Sequence, residues 1–194
     1  MKLKKFTLSL AAFISISLPF SMKAATIEYS SQNGVILGAN GFNAADGDIV
    51  ELGTFTSGFN FVANTSFSAL NAAFTLYDTT TIVGGQFYNN PTWAGLSGIP
   101  LYIWIFNVTS TPVANPGAWA IVKNPSWLTP DGSSSTADIP IDTSDSGTVV
   151  PTGALGIVSG ADVQLQLAAV PEPSSIAFLA SGLLMAGSMI RRRK

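Results

Sequence analysis

The stretch IPLYIWIFNV, Ile99–Val108, is apolar at almost every position and rich in aromatic and β-branched side chains. Such a run fits a strand buried on both faces at the centre of a layered β structure. Trp104 lies inside it and is expected in the core. Similar segments flank it. DIVELGTF (Asp48–Phe55) is bracketed by β-formers, and GAWAIVKN (Gly117–Asn124) follows the central run. In AAFTLYD (Ala72–Asp78), alternation puts Phe74, Leu76 and Asp78 on one face and Thr75 and Tyr77 on the other. ADVQLQLAAV (Ala161–Val170) alternates cleanly, with Val163, Leu165 and Leu167 predicted inward and Gln164 and Gln166 outward.

Turn chemistry separates these runs: Ala39-Asn40-Gly41, Asn89-Asn90-Pro91 and TPDGSSS at Thr129–Ser135. One segment departs from the β pattern. In NTSFSALNAAF (Asn64–Phe74), Phe67, Leu70 and Phe74 recur at helical spacing after Thr65 or Ser66 as N-cap. The expected fold is all-β, mainly antiparallel: a β-sandwich with one short helix.

Charge is distributed unevenly. Eight of the nine cations lie within the first 23 or last 4 residues. Between Ala25 and Val170 a single lysine, Lys123, faces ten acids, a formal charge of −9. So acidic a body repels phosphate backbones, and no nucleic acid is expected as a partner. The chain has neither Cys nor His. Disulfides, thiolate nucleophiles and imidazole acid–base chemistry are excluded, and the fold must rest on its apolar core.

Both ends read as addresses. MKLKKFTLSLAAFISISLPFSMKAAT opens with three lysines (Lys2, Lys4 and Lys5), followed by an apolar run from Phe6 to Phe20 and small residues at Ala24 and Ala25. That is the layout of a cleavable signal peptide over residues 1–25, making signal peptidase a processing partner. At the other end, Pro171-Glu172-Pro173 precedes an uncharged run from Ile176 to Ile190, closed by Arg191, Arg192, Arg193 and Lys194. As a helix its fifteen residues would span about 22 Å; starting at Ser174 it reaches the lower limit for crossing a bilayer. A transmembrane helix over about 174–190, its basic tail held in the cytoplasm, is expected.

The order Pro-Glu-Pro, apolar helix, arginine cluster resembles a PEP-CTERM sorting signal, here over residues 170–194. The resemblance implies an exosortase substrate of a Gram-negative bacterium, held transiently in the inner membrane and then delivered to the envelope, cell surface or extracellular matrix. It also implies an exopolysaccharide and biofilm setting. The body, residues 26–169, resembles small PEP-CTERM proteins at Leu101–Asn107, Ala118–Val122, Ser126–Pro130 and Glu51–Phe55, a group that adds support for the fold and no activity.

No catalytic residue is assigned, and an enzyme is not expected. An acid-pair glycosidase would need two carboxyls across a sugar cleft. Asp46 and Asp48, with Asp138, Asp142 and Asp145, are oxygen-rich loop acids of a kind that could hold Ca²⁺, although neither stretch matches an EF-hand. The favoured reading of them is turn acids that keep an exported domain soluble. Trp93 and Trp127, in the turn-like stretches NNPTWAG and NPSWLTP, are candidates for carbohydrate contact together with Tyr88 and Tyr102; the competing reading has both indoles folded back onto the sandwich. The main expectation is a structural or adhesive surface protein, and the alternative a carbohydrate-binding module for exopolysaccharide.

Overall fold

The computed structural model describes residues 25–93, 97–114, 116–130 and 139–168. The expected signal peptide, transmembrane helix, sorting motif and basic tail, and Asp138, lie outside them. In chain order the elements are β1 (Ala25–Ser30), β2 (Ile36–Leu37), β3 (Ile49–Phe55), α1 (Phe67–Ala73), β4 (Phe74–Thr81), β5 (Tyr88–Asn89), β6 (Thr92–Trp93), β7 (Pro100–Phe106), β8 (Ala118–Leu128), β9 (Ile139–Asp142), β10 (Ile157–Ser159), β11 (Asp162–Gln164) and β12 (Gln166–Leu167). The protein is mostly β with one helix, as its sequence leads one to expect.

The main sheet has the order β12-β8-β7-β3-β4, antiparallel throughout. The apolar run Ile99–Val108 supplies β7 at its centre, between β3 and β8. Both faces of this sheet are covered. Val50, Leu52, Ile103, Ile105, Ala120 and Val122 share one core with Ile27, Tyr29, Ile36, Val163 and Leu165 from the smaller sheets. Ile49, Phe55, Trp104, Phe106, Trp119 and Ile121 share the other with Leu70 of α1 and Phe61. Burial on two sides explains why β7 reads as a continuous apolar run rather than as an alternating one.

Two smaller sheets cover the first face. β1 pairs antiparallel with β5 and β6 and parallel with β9. β11 pairs antiparallel with β10 and parallel with β2. On the opposite face, α1 begins as expected at Ser66, whose Oγ accepts from the Ala69 N–H at 3.2 Å. It ends where Phe74 turns to extended geometry (φ −87°, ψ 129°) and starts β4.

Three local expectations are corrected. Phe74, Leu76 and Asp78 do not share a face. The β3–β4 register slips between Leu52 and Gly53, so that Gly53 faces Leu76 but Leu52 faces Asp78. The extra residue, Tyr77, is a bulge that reverses the alternation after it. Phe74 joins the core of Phe55, whereas Asp78 accepts a 2.7 Å bond from the Tyr29 hydroxyl within the opposite one. Leu167 is not inward. The run Ala161–Val170 leaves β11 and crosses to the edge of the main sheet as β12, where Leu167 is 71% exposed beyond the covered area. Val163 and Leu165 are buried as expected. Finally, NPSW is strand rather than turn. β8 runs through it to Leu128, with additional residues set against β7 between the pairs Tyr102–Lys123 and Pro100–Leu128. Asn124 organises that irregularity: its Oδ1 accepts from the Ser126 N–H (3.0 Å) and hydroxyl (2.8 Å).

Candidate functional site

The candidate aromatics are turned into the protein. Trp127 is 1% exposed, and its indole N–H donates to Asp145 Oδ2 at 2.8 Å. It has no face to offer a sugar, which corrects its assignment as a carbohydrate contact. Trp93 is half-buried at the end of β6, opposite Ala25. Its ring stands edge-on to Tyr77 at 4.3 Å, and its enclosed indole nitrogen has no partner. Tyr77 fixes this corner by donating its hydroxyl to the Thr92 carbonyl. The two indoles therefore form no coplanar stacking platform.

The candidate acids hold turns together. Asp46 Oδ1 accepts from the Gly84 N–H at 2.7 Å. Asp48 Oδ2 accepts from the Ala45 N–H at 3.1 Å, and burial pushes its carboxyl above the ordinary range. Asp145 Oδ2 takes the Asp142 N–H (3.1 Å) as well as the Trp127 indole. Asp142 Oδ2 accepts from the Ser30 hydroxyl (2.6 Å) and the Gln32 N–H (3.1 Å), and Oδ1 from the Ser144 N–H (2.8 Å). Burial opposes its charge, but the bonds from Ser144, Ser30 and Gln32 outweigh that and lower its pKa. Among the described residues no three acids converge to hold a metal ion. The Asp46–Asp48 and Asp142–Asp145 pairs are each bound to neighbouring backbone instead.

The Asp142 network ties β9 to β1, so its loss is expected to be felt in stability. Asp142→Ala should destabilise the purified chain by about 1–2 kcal/mol near neutral pH, read as a lower urea midpoint. With a depressed native pKa, the contribution of this carboxyl is present above its unfolded-state pKa and fades as pH falls through the native one. The difference between wild type and variant should therefore shrink in acid.

One titratable group is buried without a bonding partner. Glu51, in the middle of β3, faces Trp104 on β7 and Thr79 on β4, and is 7% exposed. Burial alone pushes its carboxyl up to about 7. It stands on a packed sheet face, not in a cleft.

Among the grooves on the described surface, two stand out. One, of about 560 Å³, is walled by Phe55, Phe59, Ile99, Pro100 and Tyr102. Its rings pack on one another, Phe55 to Tyr102 at 5.1 Å and Phe55 to Phe59 at 5.2 Å, as the margin of the second core. The other, of about 640 Å³, is lined by Gln32, Thr80, Thr81, Val83, Gln86 and Tyr88, with Phe87 at its floor. Val83 and Gln86 close a two-residue hairpin through reciprocal backbone bonds of 2.8 and 3.1 Å. Gly84 and Gly85 have φ of +61° and +81°, the left-handed pair such a turn requires. Asp46 clamps this turn from behind. Sequence reasoning named Tyr88 only as an accessory to the tryptophans. Gln32 and Gln86 gave no signal, because they are 54 residues apart and meet only through the β1–β5 pairing.

Residues 169–194 match the family model described as the PEP-CTERM protein-sorting motif. No curated protein and no solved structure matches the chain. The matched segment begins directly after the last described residue, Ala168, whose N–H is bonded to the Gly117 carbonyl at 3.0 Å. The chain thus carries, behind a β-rich body, the C-terminal PEP-CTERM motif of exported proteins that an exosortase processes.

Proposed function

We propose that this chain is a non-enzymatic structural or adhesive protein of a Gram-negative cell surface or extracellular matrix. On this reading it is exported through its N-terminal signal, held in the inner membrane by its C-terminal helix and released from it by exosortase action at Pro171-Glu172-Pro173. The observation that carries the proposal is the motif match at residues 169–194. The body supports it in character. A chain without cysteine relies on no redox compartment, and its ten acids against one lysine favour solubility outside the cell. Its candidate acids brace turns rather than face one another across a cleft.

The described fold also bears on N-terminal processing. Ala25 is the first residue of β1, 2% exposed and paired with Trp93. Cleavage after Ala24 keeps that pairing, whereas cleavage after Ala25 removes a buried strand residue. We therefore place the cut after Ala24.

The proposal is tested in the producing cell by replacing Pro171, Glu172 and Pro173 with alanine. Most of the chain should then stay in the membrane fraction at its unprocessed mass, as it should in a strain lacking the exosortase. Release of the variant at the wild-type level and mass would remove the role assigned to the motif.

A further inference from the structure

We propose that the groove beside Tyr88 binds an uncharged glycan chain. The inference deepens the surface-protein reading by naming what such a protein would hold, and rests on that reading only for where the ligand is met. A sugar ring presents an apolar C–H face and a rim of hydroxyls that both donate and accept. The groove supplies a counterpart for each. Tyr88 is 47% exposed and belongs to neither core, so packing does not account for its position. Its ring is a stacking surface, and its hydroxyl has no partner among the described residues. Gln32 provides an amide donor and acceptor, Gln86 an amide acceptor, and Thr80 and Thr81 hydroxyls. An aromatic platform with a few convergent polar groups is the usual make-up of a ligand groove.

Two of the polar groups are held in place before any ligand arrives. Gln86 Nε2 donates to the Gln32 and Gly34 carbonyls at 3.0 and 3.1 Å, which fixes the amide and leaves its Oε1 free to accept. The Thr80 hydroxyl donates to the Tyr88 carbonyl at 3.3 Å and keeps its acceptor capacity. The Gly84-Gly85 turn that carries Gln86 is itself clamped by Asp46. For these two side chains little ordering entropy remains to be lost on binding.

Charge selects the ligand class. None of the described lining residues is charged at neutral pH, so none of them would compensate a carboxylate or sulfate. The surrounding body, at −9 over residues 25–170, repels anionic polymers. An open groove rather than a closed cavity favours a segment of polymer over a free monosaccharide.

The test is affinity electrophoresis of the full-length chain in a detergent without a sugar headgroup, in native gels containing dextran, laminarin, galactomannan or alginate. At least one neutral polymer should retard the wild type, and alginate should not. Tyr88→Ala should weaken that retardation roughly tenfold and Gln32→Ala several-fold, whereas Tyr88→Phe should keep it within about twofold. Gln32 and Tyr88 are exposed, and unchanged thermal midpoints will show that the variants remain folded. Retardation by no neutral polymer, equal retardation of Tyr88→Ala, or preference for alginate each overturns the proposal. Fractionation of the same strains reads export separately. Normal release without binding removes the groove alone; binding without release removes the sorting reading alone.

Discussion

Trp104→Ala should cost about 3–5 kcal/mol of folding stability, measured by urea unfolding of the purified chain. That is a large share of the roughly 5–15 kcal/mol by which domains are stable, so the variant should be barely folded at 25 °C. The size follows from position. Trp104 is fully buried on the central strand, with ring contacts to Phe55, Phe67, Phe74, Phe106 and Trp119 at 4.8–5.9 Å. It joins α1, the β4 edge and β8 through one side chain. The milder change separates packing from hydrogen bonding. The Trp104 indole N–H is buried without a partner, so Trp104→Phe removes an unsatisfied donor along with some volume. Trp127→Phe, at an equally buried site, takes away the 2.8 Å bond to Asp145. Of the two, the Trp127 variant should be the less stable, by about 1 kcal/mol or more. Equal losses would show that the Asp145 bond contributes nothing net.

Stability should fall as pH rises from below 4.5 through about 7, and Glu51 should be the main reason. In the native state burial holds its pKa at about 7, against an ordinary 4.5. Across that window the native protein retains a proton that the unfolded chain has released. Raising the pH therefore favours unfolding, by at most about 3 kcal/mol for this one group. Asp48, also raised by burial, acts in the same sense; Asp142, lowered by its hydrogen bonds, acts in the opposite sense at the acid end. Glu51→Gln should flatten the profile and exceed wild type in stability above pH 7. A variant profile parallel to wild type would show that Glu51 ionises freely in the folded protein.

How much of this was legible in advance depended on the range of the interaction involved. The central strand was readable because a segment covered on both faces must be apolar throughout, and Leu101–Phe106 is nearly so. The helix was readable because Ser66 and the spacing of Phe67 and Leu70 are local signals. The bulge at Tyr77 was not, since a slipped register depends on the partner strand and leaves no local mark in FTLYD. Leu167 misled for a related reason: alternation predicts a face, but not whether anything covers it. β1 escaped notice because ATIEYS follows directly on an apolar leader. Trp127 looked like a turn residue because Pro125 precedes it, and its anchor, Asp145, lies 18 residues away. The same limit held at the candidate site. Trp93 and Trp127 stood out by residue type, while the exposed groove residues, Gln32, Gln86 and Thr81, are unremarkable until pairing brings them together.

On the proposed reading the body is delivered by its two terminal segments, and both are processed. Intact-mass spectrometry of the protein recovered from outside the producing cells tests it most directly. The expected species begins at Ala25 and ends close to Pro171-Glu172-Pro173, lacking the apolar run and the basic tail. Recovery instead of an unprocessed Met1–Lys194 chain confined to the cytoplasm would contradict it.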